Sequence, residues 1–194
     1  ENIIDTDTVT DYLFCTGSVK FDGADKPISC WKKAPFHGPQ TLRLALENSC
    51  NPAFMNLGLH IGAQTSYKYY EAFGFFDKTG ISLSGEPDGG IFYDVNKIKP
   101  IELAIMSFGF TITPLQMITA ASAIANDGVL VKPQIIDKLI NTDTGEVTEI
   151  ETEEVRQVLS KETADKVASM MESVVNDGTG GRGSVSGYSI GGKT

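Results

Sequence analysis

Ser49 and Asn51 stand two residues apart in the stretch Glu47-Asn48-Ser49-Cys50-Asn51, which Pro52 closes. A residue before proline avoids the helical region, so the stretch is expected to be extended or turned. Side chains i and i+2 then point into one cleft while the middle one, Cys50, points behind. A hydroxyl beside a carboxamide can relay a proton and hold an amide. The far end of the chain, Ser189-Ile190-Gly191-Gly192-Lys193-Thr194, could bring an ammonium group to the same cleft from a strand edge. Each motif has an ordinary alternative. Asn51 could cap the next helix with Pro52 at its first position, and Lys193 could be a surface lysine snorkelling at a strand end. Ser-x-Asn alone carries little, because it arises by chance in many chains of this size.

A second set of residues has metal-ligand chemistry. Cys15, Cys30, His37 and Cys50 follow the spacing C-x14-C-x6-H-x12-C. If the first turn centres on Gly23-Ala24, Cys15 lies opposite Lys32, with Cys30 its diagonal neighbour on the same face. Diagonal neighbours are ~7–8 Å apart, far for a disulfide yet reachable through a metal. Cys50 points behind the cleft, towards the loop that carries His37. Three thiolates and an imidazole are a closed tetrahedral set suited to structural zinc. The spacing is not that of a standard zinc knuckle, so a Cys30–Cys50 disulfide and three inert buried thiols remain open alternatives.

The elements that must position these groups follow from pattern. Residues 12–21 read as a strand, Asp22-Gly23-Ala24-Asp25 as a turn and residues 28–32 as the returning strand. Pro35, Gly38 and Pro39 make a loop around His37. Residues 40–47 form a short helix with Leu42 and Leu46 on one face. After Pro52, Phe54, Leu57 and Ile61 keep helical spacing until Gly62. Residues 66–73 form another helix, followed by a Gly/Pro-rich loop over 80–90. Thr113-Pro114 opens a helix that runs to Asn126-Asp127-Gly128, thin enough through Ala120, Ala121, Ala123 and Ala125 to sit deep against a sheet. Residues 129–131 and 135–140 are strands, and Thr142-Asp143-Thr144-Gly145 turns the chain into 146–151. Ser160 caps a helix over 161–176, and a mobile loop over 178–183 leads to a last strand, 188–194. The chain is α/β with antiparallel hairpins. Residues 1–40 are hairpin and loop, 41–128 mainly helical with Ser-x-Asn, and 129–194 hairpin, helix and a strand ending in Lys-Thr.

Composition narrows the class. The 194 residues are one domain's worth of chain, or most of a larger one. A hydrophobic content of 41% with 21% charged residues is ordinary for a soluble globular protein. The formal charge of −9 and the lack of any Lys/Arg cluster beyond Lys32-Lys33 argue against nucleic acid and anionic membrane surfaces as partners. No apolar run is long enough to span a bilayer, and the start does not read as a signal peptide. The abrupt ends, Glu1 and Lys193-Thr194, suggest a fragment.

Taken together, the residues resemble a known family. Ser49-Cys50-Asn51 opening a helix, Gly178-Thr179-Gly180 after a long helix and the closing Gly191-Gly192-Lys193-Thr194 are similar to the transpeptidase domain of penicillin-binding proteins. The likeness is strongest to the monofunctional peptidoglycan transpeptidases of Gram-positive bacteria. The stretch from Gly80 to Glu86 and that from Ser107 to Gln116 look like further signatures, in the family's order, over nearly the whole chain. The family's three motifs are S-x-x-K, S-D-N and K-T-G, and two have counterparts here. The resemblance implies the penicillin-binding-protein transpeptidase or serine β-lactamase-like fold, an antiparallel sheet flanked by helices, incomplete in this chain.

It also implies acyl transfer: a serine attacks the D-Ala-D-Ala amide of a stem peptide, and an amine from a neighbouring strand takes the acyl group. Ser49 passes the proton to the leaving D-alanine, and Asn51 holds the peptide's side-chain amide. Lys193 supplies charge near the terminal carboxylate and keeps Ser49 ready for proton transfer, while Thr194 hydrogen-bonds that carboxylate. Catalysis needs no cofactor. The implied ligands are peptidoglycan stem peptides and β-lactam antibiotics, and the implied partners are other cell-wall synthesis proteins. The implied place is the extracytoplasmic face of the cell membrane, with the anchor outside this chain, where a disulfide is chemically permitted.

The family's nucleophile motif is not found. The one literal S-x-x-K, Ser29-Cys30-Trp31-Lys32, falls on an expected strand, where residues i and i+3 point to opposite faces; the motif needs a helical turn. This chain alone is therefore expected not to acylate. The rivals are a catalytically inactive binding relative or sensor, a serine β-lactamase, and a purely structural metal-binding or interaction domain. The lactamase needs a water-activating base, for which Glu86-Pro87 is only a loop signature.

Overall fold

The computed structural model describes residues 5–90 and 93–194. Residues 1–4 of the 1–40 segment and residues 91–92 of the 41–128 segment lie outside that description. The first elements are β1 (Phe14–Cys15), β2 (Ser18–Val19), β3 (Ile28–Ser29) and β4 (Gly38–Pro39), then α1 (Leu42–Glu47), α2 (Asn51–Ile61) and α3 (Ala63–Ala72). Next come α4 (Pro100–Met106), α5 (Pro114–Ala125), β5 (Val129–Val131), β6 (Lys138–Ile140), β7 (Val147–Glu149), β8 (Glu154–Gln157) and α6 (Lys161–Asn176). The chain divides into two compact units. One comprises Glu1–Tyr67, Tyr93–Phe110 and Asp165–Thr194, the other Lys68–Phe92 and Thr111–Ala164.

In the first unit the expected strand over 12–21 is broken at Gly17. Its φ of +97° favours glycine, and a Cβ there would lie 2.4 Å from the Phe36 ring. The two halves consequently pair with different partners. In the β2–β3 ladder, Ser18 faces Ser29 and Val19 faces Ile28, which centres the turn on Gly23-Ala24 as expected. Cys15, however, faces Gly38 in the β1–β4 ladder rather than Lys32. Ser29 lies on β3, so the literal S-x-x-K does not sit on a helical turn.

The helices of this unit begin for local reasons. Thr41 caps α1, its Oγ1 accepting from Leu44 N at 3.1 Å. The cap of α2 is Cys50, which removes the alternative reading of Asn51 as a cap; Asn51 is already helical, and the Cys50 side chain turns into the core. Helix α4 was not foreseen, although Pro100 at its start and Glu102, which accepts from Lys99 N at 2.7 Å, are ordinary start signals. It packs closely on α2: a Cβ on Gly58 would lie 1.6 Å from Ser107 Oγ. The core gathers Leu13, Cys15, Cys30, Ala45, Cys50, Ala53 and Leu57, with Tyr12, Leu42 and Phe54 against it.

In the second unit α5 starts with a reciprocal cap between Thr113 and Gln116 and buries Ala120 and Ala123 against β5. β5 pairs with β8, a strand the sequence pattern did not suggest. Leu130, Val158 and Leu159 join Ala123 and Ala164 in its core. Burying each of the three larger side chains contributes about 1.5–3 kcal/mol.

All pairings among the described residues are two-stranded antiparallel ladders. The expected last strand, 188–194, is absent: Gly192 N instead donates to Met171 O of α6 at 3.0 Å. A strand needs a neighbour for its ladder, and no described strand lies alongside. Helix α6 has the expected bounds, with Ser160 Oγ accepting from Thr163 N at 3.2 Å.

Candidate functional site

Helix α1 ends in a Schellman turn. Ser49 N–H donates to Leu46 O at 3.1 Å and Cys50 N–H to Ala45 O at 3.0 Å. Such a turn requires one left-handed residue, commonly glycine, and here it is Ser49 with φ +48°. A side chain in that conformation costs roughly 1–2 kcal/mol. The remaining carbonyls of the helix end are met from a distance. Thr179 N and Oγ1 each donate to Glu47 O at 3.0 Å, and Trp31 Nε1 donates to Asn48 O at 2.8 Å. With these bonds every carbonyl of the last turn has a donor. The Asn48 side chain donates to Oε1 of buried Gln40 at 2.9 Å. Gly178 approaches so closely that a Cβ would lie 2.7 Å from Glu47 O. The loop over 178–183, expected to be mobile, is therefore pinned at its start.

On this turn Ser49 meets the C-terminal pair Lys193-Thr194. Lys193 Nζ donates to Ser49 Oγ at 2.6 Å, and Ser49 Oγ donates to the main-chain oxygen of Thr194 at 2.9 Å. Lys193 Nζ also contacts that oxygen, and the hydroxyls of Thr179 and Thr194 lie 2.6 Å apart. Lys193 is exposed as a residue, and partial desolvation of its ammonium holds the pKa below the usual lysine value. An ammonium that donates to a hydroxyl oxygen stabilises negative charge developing on that oxygen. Asn51 is half-buried in the first turn of α2, and its carboxamide makes no hydrogen bond among the described residues. Ser49 is left-handed, not extended, yet Cys50 (φ −84°, ψ 99°) is extended and fully buried behind it, as expected.

Behind the turn, Cys15, Cys30, His37 and Cys50 bring one ligand atom each within 4.8 Å of one another. They come from β1, the residue after β3, the residue before β4 and the cap of α2. The three cysteines are free and buried. Cys30 Sγ lies 3.5 Å from His37 Nδ1, while His37 Nε2 is buried without a hydrogen-bond partner. Burial raises the Cys30 thiol and pushes that of Cys50 up to about 12. Burial, with the charge of Lys32, lowers His37. All three shifts favour neutral groups; a dication would draw the protons off the thiols. In a zinc tetrahedron with Zn–S of about 2.3 Å the ligand atoms stand about 3.8 Å apart, so this set needs to contract by about 1 Å at most. Its donors suit zinc in type and number.

Sequence reasoning did not identify Trp31 or Thr179 as parts of the site. Thr179 had one signal, the small-residue run Gly178-Thr179-Gly180. Trp31 had only its place beside Cys30.

Comparison with known proteins agrees with this geometry. Residues 3–194 match the family model described as the penicillin binding protein transpeptidase domain. Stage V sporulation protein D of Bacillus subtilis (strain 168) is 38% identical over 187 residues, covering 95% of this chain and 28% of that protein. Among solved structures, the D,D-transpeptidase domain of a peptidoglycan glycosyltransferase from Eggerthella lenta superimposes with a TM-score of 0.83 at 29% identity. That match covers 97% of this chain and 48% of the solved one. Penicillin binding protein 3 of Mycobacterium tuberculosis, complexed with ampicillin, gives 0.84 at 29% identity, covering 98% and 42%. The chain thus spans under half of these two solved proteins and little more than a quarter of the sporulation protein. The expected fold class is the one these structures have.

Proposed function

Since this chain belongs to the penicillin binding protein transpeptidase domain family, we propose that its parent protein is a serine-type D,D-transpeptidase that cross-links peptidoglycan stem peptides and is acylated by β-lactams. The observation that carries the reading is the 2.6 Å contact of Lys193 Nζ with Ser49 Oγ, between two motifs 144 positions apart. The nucleophilic serine, contributed by another part of the parent chain, adds to the carbonyl of the penultimate D-alanine. The C–N bond breaks, an acyl-serine ester forms, and the departing D-alanine takes a proton through Ser49. An amine from a neighbouring strand then attacks the ester, forms the new amide and returns a proton to the serine. Lys193 stabilises charge as it develops and faces the terminal carboxylate, which the Thr194 hydroxyl also binds. The unpartnered Asn51 carboxamide holds the stem peptide's side-chain amide. The reaction places the parent at the extracytoplasmic face of the cell membrane among other cell-wall synthesis proteins. No helix among the described residues is long and apolar enough to cross a membrane.

Cys15, Cys30, His37 and Cys50 act in this reading as a structural zinc site that holds the segment carrying Ser49 and Asn51. What supports it is the closeness of four ligand atoms of suitable type. Labelled penicillin on the intact parent tests the enzymatic reading. One long-lived adduct per molecule is expected; turnover would mean a lactamase, and no labelling a binding relative. An adduct on Ser29 or Ser49 would overturn the assigned roles.

A further inference from the structure

We propose that Trp31 is a positioning residue for Ser49: its indole N–H, held on the Asn48 carbonyl, keeps the Asn48–Ser49 peptide turned so that the Ser49 hydroxyl meets Lys193. The proposal rests on the role given to Ser49 above.

Ser49 occupies a left-handed conformation that a right-handed one would ordinarily displace. Reverting requires the peptide between Asn48 and Ser49 to rotate about the chain. Two bonds oppose that rotation, one on each side of the peptide. Its N–H is held by Leu46 O at 3.1 Å and its carbonyl by Trp31 Nε1 at 2.8 Å. The first belongs to the helix end itself, so Trp31 supplies the only restraint on this peptide from outside the turn among the described residues. Thr179 acts one carbonyl earlier, on Glu47.

The placement of Trp31 is not explained by burial, since 58% of its surface is exposed. Its ring edge rests on His37, with centroids 5.7 Å apart at 61°. Cys30 precedes Trp31 and Cys50 follows Ser49, so both ends of the clamp are rooted in one group of four clustered side chains. That common root fixes the span the indole has to bridge.

The test uses the intact parent protein and a penicillin, with single-turnover measurements that separate noncovalent binding from the acylation rate constant. The variants are Trp31→Phe, Trp31→Gln and Ser49→Ala, with melting temperatures taken alongside. Phe keeps a ring against His37 but has no donor. Gln lacks the ring but carries an N–H as many bonds from Cβ as the indole nitrogen. Trp31→Phe should slow acylation about 10-fold and leave noncovalent binding within about 2-fold. Trp31→Gln should return acylation to within about 3-fold of the parent, whatever it does to the melting temperature. Parental acylation by Trp31→Phe, beside a slow Ser49→Ala, overturns the proposal alone. Equal slowing by Phe and Gln also overturns it, because the ring and not the donor would then matter. Parental acylation by Ser49→Ala overturns the reading of Ser49 itself, and the proposal with it.

Discussion

Two turns in this molecule satisfy their backbones in opposite ways. Between β6 and β7, the Asn141 carboxamide accepts from Asp143 N at 2.9 Å and Thr144 N at 3.2 Å. Gly145 N returns to Asn141 O at 2.8 Å, and the left-handed position, φ +76°, is taken by that glycine. Every partner lies within a few residues, and nothing is strained. The turn after α1 puts a serine in the left-handed position and draws donors from Trp31, Thr179 and Lys193. The first turn can close as soon as its own residues meet. The second closes its own two Schellman bonds locally, but the Glu47 and Asn48 carbonyls and the Ser49 hydroxyl find their partners only when distant segments have docked. Strain kept at a reactive group and held by its surroundings is a common mark of functional sites.

The contrast can be broken most forcefully at Lys193. In the intact parent, Lys193→Ala should slow acylation by roughly 10²-fold or more, because the cation acts on charge that develops in the transition state. Asp or Glu there should be worse. If the alanine variant acylates at the parental rate and only binds more weakly, the proton-relay role is wrong.

The clustered cysteines come next. Protein purified without added metal should contain one zinc and three free thiols by elemental analysis and thiol titration under denaturation. Absence of metal with a single free thiol would establish the disulfide instead. Stripping the metal should lower stability by about 3–5 kcal/mol and slow acylation together. Zinc affinity should fall as pH falls, since the raised thiols of Cys30 and Cys50 must lose protons to bind it. In stripped protein, folded His37 binds fewer protons than the unfolded chain between its lowered pKa and the ordinary 6.5. Its stabilising contribution is thus fully present above 6.5 and is lost as pH falls through that window. Denaturant titrations across that range read the sign.

A smaller and more diagnostic effect is expected at Ser49. Ser49→Gly should be about 1 kcal/mol more stable than Ser49→Ala, because only glycine relieves the left-handed strain, while both acylate slowly. Equal stability of the two would remove the argument from strain. The mirror experiment is Gly145→Ala, which should cost about 1 kcal/mol and leave acylation within about 2-fold of the parent.

Helices α5 and α6 were readable because helical spacing and capping residues are local properties. The β6–β7 turn was readable because Asn141 to Gly145 contain the chemistry that closes it. The candidate residues Ser49, Asn51, Lys193 and Thr194 were singled out through the motifs of the resembled family, and the cysteines with His37 through type and spacing. How they meet could not be read in either way. The break at Gly17 depends on Phe36 filling the space beside it, and it sends Cys15 to Gly38 instead of Lys32. The expected strand over 188–194 had no ladder to join and instead hydrogen-bonds to α6. Thr179 reaches Glu47 across 132 positions, and Trp31 reaches Asn48 across 17. Spacing along a chain fixes which residues share a face of a helix or close a turn. It does not fix which carbonyl at a helix end a distant side chain will reach, because that depends on how the whole core packs.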